Sequence, residues 1–334
     1  MSPRRKPPED AVTPLVQQRL GPAPHRSAAD WLNLQWALAR RPRIESGWAS
    51  VCGAGHERNQ DAVLAAAPLF AVADGVGGGS AGELASSQML TWCRAIQPAD
   101  WRRPEVLAAK LRESDAALAG ALQRLNPGGR SATTFAGAWL RSSGHGVVAH
   151  VGDSRVLQLR PRSGAWQLTR LTVDQTYANL GELAPEGGRP DDPARMVGVG
   201  AIGQPPVARI RLRENDWLLL CSDGLHRFVP EPTLAALCQR AVAAPLHDLA
   251  QQLAEAAAQA GSRDDISVLL VRRNPLGGAR IQFWLALVAS VVAALALLAG
   301  TLIAQGDATG DMPAPVPAAS APSAAGSAAP LSPR

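Results

Sequence analysis

Five aspartates stand in short, turn-like contexts spread along the chain: Asp61 in Asn59-Gln60-Asp61, Asp74 before Gly75, Asp153 in Gly152-Asp153-Ser154-Arg155, Asp223 in Ser222-Asp223-Gly224, and Asp264 in Arg263-Asp264-Asp265. Clustered carboxylates repel one another unless protons or metal ions neutralise them, and oxygen-rich sites suit hard divalent cations. The chemistry to expect is that of a magnesium or manganese centre. Taken singly, each aspartate reads better as a turn or cap residue. Taken together, they point to one site.

Three of the five follow apolar runs with strand character: Leu69-Phe70-Ala71-Val72-Ala73, Val147-Val148-Ala149-His150-Val151 and Trp217-Leu218-Leu219-Leu220-Cys221. Strand ends deliver side chains to a shared edge. The apolar patterns predict strands over 69–73, 133–141, 146–151, 155–160, 207–212, 217–222 and 266–272, and helices over 81–95, 104–124, 231–242 and 246–260. Helices in pairs between runs of strands predict an α+β fold with mixed or antiparallel sheets rather than a doubly wound parallel one. Residues 174–206, rich in Gly and Pro, are long for a structureless loop, and loops of that length are usually functional.

The segments around the aspartates resemble, in order and wording, the type 2C, metal-dependent family of serine/threonine protein phosphatases. The matching stretches are Asn59-Gln60-Asp61-Ala62, Ala73-Asp74-Gly75-Val76-Gly77-Gly78, Ser131-Ala132-Thr133-Thr134, Val151-Gly152-Asp153-Ser154-Arg155, Leu171-Thr172-Val173-Asp174, Cys221-Ser222-Asp223-Gly224-Leu225 and Ser262-Arg263-Asp264-Asp265-Ile266-Ser267-Val268. They cover residues 44–273. The resemblance implies a four-layer α-β-β-α sandwich with the metals at one edge and a flap formed by 174–206. It also implies hydrolysis of phosphoserine and phosphothreonine by water activated between two Mn2+ or Mg2+ ions, with no phosphoenzyme. Two-metal sites need a carboxylate able to bridge both ions, a role that falls to Asp74, with the Gly75 carbonyl beside it. Asp223 and Asp264 would complete one ion's shell, Asp61 would serve the other, and Asp153 would belong to a third site.

Three departures from the family pattern bear on the chemistry. The arginine that commonly clamps the substrate phosphate is replaced by His56, and Arg58, two residues on, is the expected substitute, because a guanidinium fork matches phosphate oxygens, with His56 sharing the task when protonated. Arg58→Ala is expected to raise KM. Val76 stands where some members carry a histidine acid, which leaves protonation of the leaving alkoxide to water. Arg227 stands where an acidic residue supports the third metal, so it weakens that site or replaces it with a fixed positive charge. Asp265 occupies a position often held by asparagine. Thr133 and Thr134 read as strand residues, Ser154 and Arg155 as supports of the Asp153 turn, and His145, His150, His226 and His247 as structural or surface residues.

At 334 residues with 46% apolar content, the chain can hold one sizeable domain plus appendages. Its formal charge of +5 is spread out, without a basic stripe interleaved with aromatics, which excludes a nucleic-acid partner. Cys52, Cys93, Cys221 and Cys238 are too far apart for a zinc knuckle and read as reduced, buried thiols. Residues 281–304 lack any charged residue and would span about 36 Å as a helix, more than the roughly 30 Å of a bilayer's hydrocarbon core. They read as a transmembrane helix. Arg272, Arg273 and Arg280 precede it while Asp307 and Asp311 follow, which orients the N-terminal part to the cytoplasm. The expected organisation is an N-terminal arm over 1–43 with one possible helix at Asp30 to Ala39, a phosphatase domain over 44–273, a basic linker over 274–280, the span over 281–304 and a disordered Ala/Pro/Ser-rich tail over 305–334, without a cleavable signal sequence.

The leading expectation is a phosphatase at the cytoplasmic membrane, single-pass, acting on phosphorylated cytoplasmic proteins and opposing a membrane serine/threonine kinase. A catalytically weak module that binds phosphoproteins or relays a signal is the alternative, motivated by His56 and Arg227. A phosphatase of regulatory switch proteins is a third, differing in substrate alone.

Overall fold

The computed structural model describes residues 43–77, 79–125, 131–163, 165–275 and 278–308. The expected helix at Asp30 to Ala39, the arm before residue 43 and the tail after residue 308 lie outside the described residues. In chain order the elements are β1 (Ile44–Val51), β2 (Ala62–Ala66), β3 (Leu69–Ala73), β4 (Gly75–Val76), α1 (Gly79–Ala95), α2 (Pro98–Trp101), α3 (Pro104–Leu125), β5 (Ala132–Thr133), β6 (Phe135–Leu140), β7 (His145–Val151), β8 (Arg155–Arg162) and β9 (Ala165–Arg170). There follow α4 (Tyr177–Leu180), β10 (Val207–Arg211), β11 (Trp217–Cys221), α5 (Asp223–His226), α6 (Glu231–Arg240), α7 (Leu246–Gln259), β12 (Ile266–Arg273) and α8 (Gly278–Ala308).

Two five-stranded sheets form the centre, in orders β1-β12-β11-β8-β9 and β10-β7-β6-β3-β2, with all pairings antiparallel. Strand side chains alternate between faces, so a strand buried on both sides reads as an unbroken apolar run. In β3, Phe70 and Val72 face the other sheet, where they meet Leu218, Leu220, Leu269 and Val271. Leu69, Ala71 and Ala73 turn the opposite way, onto Ala85 and Met89 of α1 and Leu107 and Leu111 of α3. In β11, Trp217, Leu219 and Cys221 pack outward against Leu234 of α6 and Leu249 and Leu253 of α7. Helices thus cover both outer faces of a two-sheet sandwich. Three strand signals were weak in the sequence: β1, β2 and β9 are edge strands with partly exposed faces, β1 and β9 of mixed composition and β2 five residues long and rich in alanine.

The pairing gathers the aspartates at one edge. Ala62 pairs with Ala73, so Asp61 and Asp74 leave the β2–β3 hairpin side by side. Phe135 pairs with Val151 on one sheet, and Cys221 pairs with Val268 on the other, bringing Asp153, Asp223 and the Asp264-Asp265 turn to the same end.

The chain divides into two compact units, one ending at Ala279 and one beginning at Arg280. Among the described residues no helix is long and apolar enough to cross a membrane. In α8 the side chains described are those of 284–299, fewer than the roughly 20 residues a span requires, and Trp284, Leu285, Val288, Val292 and Leu295 are exposed.

Candidate active site

A cleft of about 450 Å³ opens at the aspartate edge, lined by Asp74, Gly75, Asp153, Asp223 and Asp264 together with His56, Gln60, Thr134 and Arg227. The flap closes its other side through Tyr177, Pro185, Arg189, Asp192, Pro193 and Met196. Seven segments distant in sequence therefore share one cavity.

Asp74 is the hub. Burial raises its carboxyl well above the usual carboxylate range, and Asp61, Asp223, Asp153 and Asp264 add to the shift in that order. Its backbone is fixed from the neighbouring strand: the carbonyl accepts from Thr134 N at 2.8 Å and from Thr133 Oγ1 at 2.9 Å. Thr133 and Thr134 thus support the site through backbone contacts. Gly75 is required by packing as well, since a Cβ there would overlap the Gly82 carbonyl and come within 2.6 Å of the Gln60 carbonyl oxygen.

Asp61 sits behind the cleft rather than on its lining. Its Oδ2 accepts from Ser222 Oγ at 2.8 Å, and Ser222 Oγ in turn accepts from Ser267 N at 2.9 Å. Burial pushes its pKa up to about 7, while hydrogen bonds from Ser267 and Ser222 pull the other way. Burial likewise pushes Asp153 up to about 7 and raises Asp223, with the Arg227 charge opposing both.

Arg227 stands between the two. Its Nη2 donates to Asp153 Oδ2 at 2.9 Å and its Nε lies 3.0 Å from Asp223 Oδ2. The sequence left open whether this residue weakens a cation site or supplies a fixed charge; the geometry is that of a fixed charge. Ser154 and Arg155 also support this region: Ser154 Oγ hydrogen-bonds Thr134 Oγ1 at 2.7 Å, and Arg155 forms a bidentate pair with Asp174.

His56 reaches the cleft and Arg58 does not. His56 Nδ1 lies 3.1 Å from Asp265 Oδ2 and its Nε2 lies 3.9 Å from Asp264 Oδ1, and the hydrogen bond to Asp265 raises its pKa. Arg58, expected to clamp phosphate, pairs with Glu83 at 3.6 Å, is 67% exposed and is absent from the cleft lining. The reason is local: Asp265 accepts from Gly53 N and Gln60 N at 2.8 and 2.7 Å, which pins the loop with His56 inward and leaves Arg58 on the outer side.

The donor set suits a divalent cation. Asp61 Oδ1, Asp223 Oδ1 and Gln60 Oε1 are buried without hydrogen-bond partners, and a buried acceptor left unpaired is costly. Among the described residues no group of three or more His, Cys, Asp or Glu side chains is arranged to hold a single ion.

The structural histidines stand as expected. His150 and His226 are buried on the carbonyls of Val173 and Asp153, and His145 and His247 are at the surface. Burial takes His226 down to about 3. All four cysteines are free; Cys93, Cys221 and Cys238 are buried, but Cys52, expected to be buried, is exposed at the end of an edge strand. Sequence reasoning missed Arg189, whose Gly- and Pro-flanked setting offered no periodic signal.

The family of stage II sporulation protein E (SpoIIE) matches residues 67–274. Serine/threonine protein phosphatase PstP of Mycobacterium tuberculosis is 30% identical over 224 residues, 64% of this chain and 41% of that protein, so the chain spans less than half of that relative's length. Serine/threonine phosphatase stp of Listeria welshimeri is 30% identical over 226 residues, 62% of this chain and 85% of that protein. The crystal structure of the PstP catalytic domain in complex with two manganese ions superposes with a TM-score of 0.58 at 27% identity, covering 70% of this chain and 99% of that one. PppA of Pseudomonas aeruginosa, described as a key regulatory component of T6SS, gives 0.58 at 26% identity over 69% and 97%. Through its matched residues this chain belongs to the SpoIIE family, with the type 2C phosphatase domain that its motifs resemble.

Proposed function

We propose that this chain is a metal-dependent protein phosphatase that hydrolyses phosphoserine and phosphothreonine esters on proteins. The observation that carries the reading is the convergence of Asp74, Asp153, Asp223 and Asp264, from four separate segments, on one cleft. Asp74, Asp223 and Asp264, with the Gly75 carbonyl, would hold a pair of Mn2+ or Mg2+ ions, and Asp61 would act from behind. When bound, the pair supplies Lewis acidity toward a water and charge neutralisation for the phosphoryl oxygens. The protein's own residues do the rest. Gly75 and Thr134 fix the Asp74 backbone, Arg227 aligns Asp153 with Asp223, and Asp265 holds His56 toward the cleft as a cation for the phosphate. No acid in this set faces the leaving alkoxide from the position of Val76, so water returns that proton.

Membrane attachment through 281–304 belongs to the same proposal, with the catalytic domain facing the cytoplasm and the Arg272-Arg273 and Arg280 cluster on that side. A shared membrane raises the effective concentration of a tethered kinase or its targets, which makes an autophosphorylating serine/threonine kinase the natural opponent. Hydrolysis of a phosphothreonine peptide by the full chain, with and without Mn2+, tests the reading. Manganese-dependent turnover that is lost in Asp74→Asn is the expected result. Wild-type turnover no higher than that of Asp74→Asn would leave the phosphoprotein-binding module, which the Arg227 contacts to two site carboxylates favour.

A further inference from the structure

The cations on the cleft lining are His56, Arg189 and Arg227. Two of them are committed. Arg227 is spread over Asp153 and Asp223, and His56 is held by Asp265 at 3.1 Å. Arg189 differs: its side chain is 79% exposed, and its ion pair is to Asp192, three residues along the same turn, at 3.3 Å. Exposed pairs of this kind are worth about 0–1 kcal/mol, so the fork exchanges readily for a better anion.

The turn that carries Arg189 is not loose. Arg189 N donates to Asp192 Oδ2 at 2.8 Å, and Asp192 N donates back to Arg189 O at 3.0 Å. Arg227 Nη2 donates to the carbonyl of Asp191 at 2.8 Å, which latches this turn to the same guanidinium that holds the site carboxylates. At its ends the flap is anchored by Gln175 N to Gly152 O at 2.9 Å and by the Thr133–Val197 pair. The result is an arginine on the cleft lining, carried by a fixed turn.

We propose that Arg189 supplies the guanidinium that binds the substrate's phosphoryl group beside the His56 cation, delivered by the flap and positioned by the Arg227–Asp191 latch. A planar fork of donors matches a phosphate dianion bidentately, which a single imidazolium cannot do. The proposal rests on the phosphatase reading and assigns the phosphate contact that Arg58, turned toward Glu83, does not make.

Two measurements on the full chain test it: calorimetric binding of inorganic phosphate in the presence of Mg2+, and KM for a phosphothreonine peptide. Arg189→Ala should weaken phosphate binding at least tenfold and raise KM by a similar factor. Arg189→Lys should fall between, and Arg58→Ala should stay within about twofold of wild type. Phosphate binding by Arg189→Ala equal to wild type overturns the proposal, and so does a wild type that binds no phosphate. Cleavage by a Glu-specific protease at Glu182 and Glu186 reports flap order. If Arg189→Ala opened those sites and Arg189→Lys did not restore phosphate binding, the residue would be a structural part of the flap and the proposal would fail. Arg189-dependent phosphate binding without peptide hydrolysis would sink the phosphatase reading alone, whereas hydrolysis with Arg189-independent phosphate binding would sink this inference alone.

Discussion

Arg227 Nη2 donates to Asp153 Oδ2 at 2.9 Å across the wall between the aspartate-lined cleft and a polar cavity of about 500 Å³ that both residues also line. A buried carboxylate beside a fixed guanidinium does not need a cation, whereas the same carboxylate alone does. On the metal-dependent reading, the pair would set how many ions the site takes.

Removing the guanidinium exposes that demand. Arg227→Met leaves Asp153 and Asp223 buried without their charge partner, and breaking a buried pair costs about 3–5 kcal/mol, less where a partner is partly exposed. Arg227 is 31% exposed, so a loss of roughly 1–3 kcal/mol is expected in chelator. Manganese should restore most of it, and equilibrium dialysis should find more Mn2+ bound per chain than in wild type. Equal stoichiometry in the two proteins would show that Arg227 is not a substitute for an ion.

Asp265 offers a test of positioning. Its two oxygens accept from Gly53 N and Gln60 N and face His56 Nδ1, all from one loop. Asp265→Asn turns an amide donor toward one of those donors and leaves a buried N–H unsatisfied, which costs about 1–3 kcal/mol. Urea unfolding should report that loss, and KM should rise as His56 loses its anchor. An unchanged midpoint would mean that the loop is held by other contacts.

Much of this was legible in the sequence because fully buried strands write unbroken apolar runs, and three of the five aspartates stand within two residues of the ends of such runs. The core strands β3, β7 and β11 and the aspartates at their ends are examples. Edge strands such as β9, with alternating exposure and charged residues, carry no such run. Arg58 was misplaced because the choice between His56 and Arg58 depends on which of them Asp265 pins inward, a contact 209 residues away in sequence for His56. Arg189 left no trace because its placement comes from a latch to Arg227 that composition does not encode.

The carboxylates also fix how the metal-free protein responds to pH. Asp61 and Asp153 are pushed up to about 7 by burial, from an ordinary value of 3.8. A group whose folded pKa is raised holds its proton more tightly in the fold, so its stabilisation is complete below about 3.8 and is lost as pH rises through about 7. Stability in chelator should fall between pH 5 and 7.5, on the order of 1 kcal/mol per pH unit for each such group. Thermal melts in EDTA should show a lower midpoint at pH 7.5 than at pH 5, and saturating Mn2+ should remove the difference by neutralising the carboxylates. A midpoint that rises with pH in EDTA would contradict the burial of these side chains.

Helix α8 runs 31 residues, Gly278–Ala308, a length of about 46 Å. Its described surface is apolar all round, with Leu285, Val288, Val291, Val292 and Leu298 exposed. Such a surface in water is unfavourable by about 25 cal/mol per Å² of apolar area, and a bilayer removes that cost while leaving every backbone group paired within the helix. The full chain expressed in a bacterial host should sediment with membranes and resist alkaline carbonate, and a chain ending at Pro275 should not. Release of the full chain by carbonate would make α8 a surface or partner-binding helix instead, and the proposed proximity to a membrane kinase would lose its basis.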